Sequence, residues 1–223
     1  MKALTKTEKK QRMAAIVERL KVRYPEATCA LEYGADPWRL LVMGRLSAQC
    51  TDARVNIACR DLFAHFETAE ALAAAPLEAV EADIRSCGLY HVKAQNIIDA
   101  SRMLVTEYGG VLPDSMEELL RFPGVGRKVA NLLLGDIYHH AAVVTDTHCI
   151  RICGRLGMYP ESEKNPKRIE KILSGIIEPA EQSDFCHRIV HFGREVCTAR
   201  SPACGDCPLA ELCRHAEAKK ETK

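Results

Sequence analysis

A chain of 223 residues with 47% hydrophobic content is long enough to bury a substantial core, as one large domain or two interleaved lobes. It has no apolar run long enough to span a membrane, and its first residues lead into a charged amphipathic segment rather than a secretory signal, so a reducing cytoplasm is expected. A formal charge of +1 excludes a uniformly basic surface, and binding to a polyanion would require unevenly placed positive charge.

Hydrophobic spacing predicts helices throughout, with no competing strand pattern and no internal repeat or linker. Thr7 to Tyr24 forms the first, while the Lys-rich ends, Lys6 to Lys10 and Lys219 to Lys223, are expected to be solvated or frayed. Asp36-Pro37 caps a helix running to Ser47, because aspartate accepts from the free amides and proline suits the first helical position. Asp52 to Phe63 follows, then short helices at Thr68 to Ala75 and Leu77 to Arg85. A longer one from His91 to Tyr108 is stopped by Gly109-Gly110.

Leu112-Pro-Asp-Ser115 opens a further helix in which Ser115 and Glu118 have capping-box spacing. Pro123 stops it, and in Phe122-Pro-Gly-Val-Gly-Arg-Lys-Val-Ala-Asn131 the glycines Gly124 and Gly126 permit backbone angles and close approaches that side chains block. A second helix begins near Arg127. Its first amides and its dipole make a site for one backbone phosphate without reading base sequence. Lys128 falls in that first turn, where the dipole disfavours a cation and favours the neutral, nucleophilic amine. Such an amine can attack a sugar anomeric carbon, displace the base and leave a Schiff base, from which a 3′ phosphate is eliminated.

The short apolar run Ala141 to Val144 leads through Thr145 to Asp146, which starts another helix as its N-cap. Capping is compatible with catalysis: a carboxylate beside the sugar can stabilise oxocarbenium charge or take a proton from the attacking amine. Together, Lys128 and Asp146 point to chemistry on a sugar in DNA. Helices are also predicted over Asn165 to Ile177 and Ser183 to Val196. The arginines Arg127, Arg151, Arg155, Arg194 and Arg200, with Lys128, gather near this candidate site, and ion pairing is expected to occupy at least half of them.

Cys197, Cys204, Cys207 and Cys213 are spaced C-x6-C-x2-C-x5-C. Four thiolates this close imply a metal site rather than two disulfides. Zinc usually takes two separated Cys-x2-Cys knuckles, whereas one compact loop suits an iron–sulfur cubane as well or better, so spacing leaves the metal open. The other cysteines, Cys29, Cys50, Cys59, Cys87, Cys149, Cys153 and Cys186, fit apolar helix faces as small buried hydrophobes. Cys149 and Cys153 lie one turn apart but lack a third ligand.

Five motifs in order, namely Leu46-Ser-Ala-Gln-Cys-Thr-Asp52, Gly88-Leu-Tyr90, the hairpin with Lys128, Asp146-Thr-His148 and the four-cysteine loop, resemble those of the endonuclease III family over almost the whole chain. The resemblance implies an all-α helix-hairpin-helix DNA glycosylase fold. Residues 30–140 would form a six-helix lobe containing the hairpin at 112–138, and residues 1–29 with 141–223 a lobe holding a [4Fe-4S] cluster on the four cysteines. Lys128 and Asp146 would face each other across the junction. It also implies a bifunctional glycosylase and lyase acting on oxidised or ring-damaged pyrimidines and abasic sites in double-stranded DNA, as a nucleoid-associated monomer. Gln49 resembles the residue that fills the gap left by an extruded nucleotide, and Leu89 the wedge opposite it. His148 and Asp52 would border the base pocket, and Gly124, Gly126, Arg127, Arg194 and Arg200 would contact DNA.

Phe122, Val129 and Thr145 depart from the family's usual leucine, threonine and valine. None removes a catalytic group, and the last two bear on substrate preference. The cysteine loop carries only Arg200 as a charge, which predicts weaker phosphate contact there. Two alternatives share the hairpin: a monofunctional adenine glycosylase, which typically lacks the lysine and adds a domain, and a non-catalytic DNA-binding module.

Overall fold

The computed structural model describes residues 4–221, with side chains to residue 218. Among these residues every regular element is helical. Backbone proximity divides the chain into two compact units, Cys29–Tyr138 and a second made from both ends, Met1–Thr28 with His139–Lys223.

In the internal unit, α2 (Pro37–Leu46) starts where expected, with Asp36 Oδ1 accepting from the Arg39 amide at 3.2 Å and Pro37 at the first position. The elements α3 (Asp52–His65), α4 (Ala69–Ala73), α5 (Leu77–Asp83), α6 (Tyr90–Tyr108), α7 (Met116–Leu119) and α8 (Arg127–Asp136) follow. α6 is the hub: α4, α5 and α2 pack against it, and the buried Trp38 indole donates to Ser101 Oγ at 2.9 Å to pin α2 in place. Its end is closed by the Gly110 amide on the Leu104 carbonyl, with Gly109 at φ +58, as the glycine pair predicts. α2 also packs on α8 at Gly44, where a Cβ would come within 3.1 Å of Val129. Residues such as Leu40, Leu62, Val80, Ile97, Leu119 and Leu133 fill the interior.

The second unit opens with α1 (Lys6–Arg23). Its Lys-rich first turn is solvated but not frayed, because Thr5 and Glu8 form a capping box: the Thr5 amide donates to Glu8 Oε2 at 2.6 Å and the Glu8 amide to Thr5 Oγ1 at 3.3 Å. The expected tail, Lys219 to Lys223, lies outside the residues whose side chains are described. α9 (Thr147–Arg155), α10 (Pro166–Ser174), α11 (Gln182–Glu195) and α12 (Arg214–Glu221), which the pattern did not predict, complete the unit. Met13, Ile16 and Leu20 of α1 join Ile152, Leu156, Ile169, Phe185, Ile189 and Phe192 in one core. Ala141 to Val144 belongs to neither helix nor strand; the Val144 amide donates to Cys186 Sγ at 3.2 Å.

Candidate active site

In the internal unit, Phe122 to Val125 form a tight turn, closed by the Val125 amide on the Phe122 carbonyl at 3.0 Å, with Pro123 in its second position and Gly124 at φ +75 in its third. A Cβ on Gly124 would also lie 2.2 Å from Arg45 Nε and 2.7 Å from Asn96 Oδ1. Gly124 is therefore fixed by both backbone angle and packing.

Gly126 differs. It is extended (φ −102, ψ 175) and exposed, and a Cβ there would meet nothing within 4 Å. Its missing side chain serves no internal contact but leaves the start of α8 open. Its cap, Gly126, offers no side-chain acceptor and its first turn has no acid, a helix start suited to an outside anion. By contrast α2, α9 and α10 are capped by Asp36, Asp146 and Asn165.

The two glycines should therefore separate in experiment. Gly124→Ala is expected to cost at least about 1–3 kcal/mol of stability, read as a lower thermal midpoint. Gly126→Ala should keep the wild-type midpoint yet weaken affinity for duplex DNA.

Lys128 stands exposed in the first turn of α8, while Val129 to Gly135 are buried and Arg127 is half-buried. Gln49 and Leu89 are both exposed and both left-handed, with φ +55 and +60. Such angles are strained for residues with a Cβ. Their loops are neighbours: a Cβ on Gly88 would sit 3.9 Å from the Gln49 carbonyl. Asp52 is the first residue of α3 rather than its cap, a place taken by Thr51.

In the second unit, Asp146 caps α9, its Oδ1 accepting from the Cys149 amide at 2.7 Å. It is half-buried, so the carboxylate keeps access to solvent. Thr145 beside it is buried. His148 is half-buried with Nδ1 3.2 Å from Arg151 Nη2, against a backbone where only glycine fits, since a Cβ on Gly193 would come within 2.3 Å of that nitrogen. Arg194 and Arg200 are exposed.

Arg151 and Arg155 are not available as the basic groove residues they were expected to be. Arg151 donates to the Cys197 carbonyl at 3.0 Å. Arg155, which is buried, donates to Thr198 and Ala199 carbonyls at 2.7 and 2.8 Å and to Cys197 Sγ at 3.3 Å. From α1, Arg12 donates to the Leu212 carbonyl at 3.2 Å and Arg19 to that of Pro208 at 2.7 Å. Guanidiniums thus supply the donors that regular structure would otherwise give the cysteine loop. They also bring positive charge to its thiols.

None of the four cysteines in that loop is in a disulfide, and all are half-buried. Burial, and then the neighbouring thiols Cys197 and Cys204, push the Cys207 thiol up. Cys213 is likewise raised, first by burial, with Cys197 and Cys207 adding. Cys207 and Cys213 thus feel the other sulfurs of the loop against their ionisation, and a bound cationic metal centre relieves that conflict. The donor set fits a thiolate-bound cluster.

Among the remaining cysteines, Cys59, Cys87, Cys149, Cys153 and Cys186 are buried as expected, whereas Cys29 and Cys50 are only half-buried because they lie on loops. The Cys149 thiol is held well above its ordinary range by its hydrogen bond with Cys153 and by complete burial, which disfavours its reactive thiolate.

Comparison with known proteins agrees with this geometry. Residues 42–179 match the profile of the HhH-GPD superfamily base excision DNA repair proteins, and residues 197–213 that of the iron–sulfur binding domain of endonuclease III. The chain is 45% identical to endonuclease III of Synechocystis sp., covering 94% of this chain and 95% of that one. It is 40% identical to the Bacillus subtilis enzyme over 90% of each. An endonuclease III–DNA covalent intermediate, trapped as an estranged-adenine complex, superposes with a TM-score of 0.89 at 40% identity, covering 97% of this chain and 99% of that one. A non-covalent endonuclease III–DNA complex also matches with a TM-score of 0.89, at 39% identity and 98% and 99% coverage.

Proposed function

As the chain belongs to the endonuclease III family of base-excision repair proteins, we propose that Lys128 and Asp146 carry its chemistry and that its substrates are oxidised or ring-damaged pyrimidines in double-stranded DNA. It is a DNA glycosylase with abasic-site lyase activity, it acts on DNA, and it carries an iron–sulfur cluster. Among the described residues no helix is long and apolar enough to cross a membrane. The protein would work as a monomer on the nucleoid.

The observation that carries the assignment is Lys128 itself: an exposed amine in the first turn of a helix whose start, with no side chain at its cap and no acid, suits a phosphate, two residues after Gly126. With the phosphate held there, the amine is set against the adjoining sugar. Lys128 Nζ bonds to C1′ as the C1′–base bond breaks and the base departs with its electron pair, which a proton then neutralises. The attached nitrogen gives up one proton, and its lone pair then expels the ring oxygen O4′, which takes up a proton, to leave a protonated Schiff base at C1′ of the opened sugar. Removal of a C2′ proton expels the 3′ phosphate, cleaving the strand by β-elimination. Asp146 supplies negative charge while C1′ is cationic and takes a proton from the attacking nitrogen. One of its oxygens is fixed by the Cys149 amide, which orients the carboxylate without neutralising it.

Gln49 would fill the space of the extruded nucleotide and Leu89 would wedge from the opposite side, with Arg127, Arg194 and Arg200 on the backbone and His148 at the base pocket. Base release requires extrusion because C1′ chemistry is blocked within the stack. Cys197, Cys204, Cys207 and Cys213 would hold the cluster as [4Fe-4S]. When bound, it cross-links a loop that has little regular structure of its own.

Cys204→Ser is expected to lower the visible iron–sulfur absorbance and the thermal midpoint together, and to weaken DNA binding. Stoichiometric zinc in place of iron and sulfide would overturn the cluster type. The substrate reading is tested by incubating purified protein with duplexes carrying thymine glycol, other oxidised pyrimidines, an abasic site or no lesion, with and without sodium borohydride. Base release from the oxidised pyrimidines and a borohydride-dependent adduct are expected. Adenine release without adduct would favour a monofunctional adenine glycosylase, and binding without either product a non-catalytic module.

A further inference from the structure

Lys93 has no exposed surface (0%) although it lies only one turn into α6, whose cap is Leu89. Its backbone amide donates to the Leu89 carbonyl at 3.1 Å, and its side-chain Nζ donates to the Leu46 carbonyl at 2.9 Å. Leu46 is the last residue of α2, where carbonyls lack helical partners and a cation is favoured. The loop that begins there carries Gln49. One residue thus grips the base of both loops that bear an exposed, left-handed side chain.

Burial pulls the Lys93 ammonium below its ordinary range, opposed by the nearby Cys50 and Cys87 thiols and reinforced by Arg45. A buried cation is expensive to keep, and methionine would fill the same space at little cost. Stability alone does not call for lysine here. Strained backbone, in turn, persists only where its surroundings over-determine it, and a charge-assisted bond on one loop with an amide bond on the other supplies that constraint.

We propose that Lys93 is a positioning residue that ties the Gln49 loop to the Leu89 loop, so that both side chains enter the duplex at a set spacing. The proposal rests on the reading of Gln49 and Leu89 as the residues that fill and wedge the duplex. The lysine touches no DNA itself. It acts by holding the loop that starts at Leu46 while the helix that starts at Leu89 is closed on its own backbone amide.

The test compares wild type, Lys93→Met, Gln49→Ala and Leu89→Ala with their clusters loaded. Unstacking is read from the fluorescence of 2-aminopurine placed beside thymine glycol in a duplex, and base release from that duplex under single-turnover conditions. A borohydride adduct with an abasic site in single-stranded DNA, where nothing must be extruded, reports the nucleophile separately. Lys93→Met is expected to blunt the fluorescence rise and slow duplex base release by about tenfold to a hundredfold, the scale of a misplaced positioning group, while the single-stranded adduct falls far less. Equal fluorescence and rate in Lys93→Met, or a parallel fall on both substrates, overturns the tie. If Gln49→Ala and Leu89→Ala lose unstacking but Lys93→Met does not, the tie alone fails. If neither alanine variant changes unstacking, the insertion reading fails and the tie with it. Should the methionine protein not fold, Lys93→Gln, neutral and one bond shorter in reach towards Leu46, takes the same measurements with the same expected loss.

Discussion

Lys128→Ala should bind lesion-bearing duplex DNA and yield no borohydride-trapped adduct. The side chain is exposed on α8, so its truncation opens no cavity and leaves the buried face from Val129 to Gly135 intact. Stability should hold, because surface substitutions away from special features stay within about 0.5 kcal/mol. Removing the covalent route to strand cleavage should lower the lyase rate by at least about a thousandfold, as losing a nucleophile does where no neighbour can replace it. Quantifying adduct on a denaturing gel beside a binding isotherm checks both halves. An undiminished adduct would transfer the nucleophile to another amine.

Asp146→Asn should slow base release by about a hundredfold to a thousandfold, the scale of losing a group aimed at developing transition-state charge. Asparagine is as good an N-cap as aspartate, so the bond from the Cys149 amide at 2.7 Å survives and α9 should begin where it does now. The substitution therefore separates the two roles of this residue. Structure is kept and negative charge is removed. Single-turnover base release measured with the thermal midpoint is the discriminating pair: a full rate would sink the electrostatic role, and a large fall in midpoint would assign the residue to capping.

Local chemistry made much of this molecule legible before its structure. Asp36, Asp146 and Asn165 cap helices by donor–acceptor geometry that spans three residues, so neighbours in sequence suffice to predict them. Pro123-Gly124 encodes its turn in the same way. What escaped was decided at long range. Arg155 reads as a basic surface residue, yet its partners are 43 and 44 residues away, at Thr198 and Ala199. Nothing in the residues around Lys93 shows that Leu46, 47 residues earlier, takes its ammonium. The left-handed angles at Gln49 and Leu89 had no glycine or asparagine to announce them, because loop context imposes them. Family resemblance, rather than residue type, singled out those two side chains. Gly126 sits between these cases: its small size was visible, but only the empty space around it separates a phosphate approach from an internal fit.

That the second unit is built from both ends of the chain has a consequence for biosynthesis. α1 is translated roughly 170 residues before Ile189 and Phe192, which share its core, a delay of about ten to thirty seconds at ordinary elongation rates. Residues Cys29–Tyr138 emerge whole in that interval and can fold on the ribosome, while Met13, Ile16 and Leu20 wait with their apolar face uncovered. The nascent chain therefore offers a helper protein its longest-lived target at α1, and the iron–sulfur cluster can be loaded only once Cys213, beyond all of these partners, has been made.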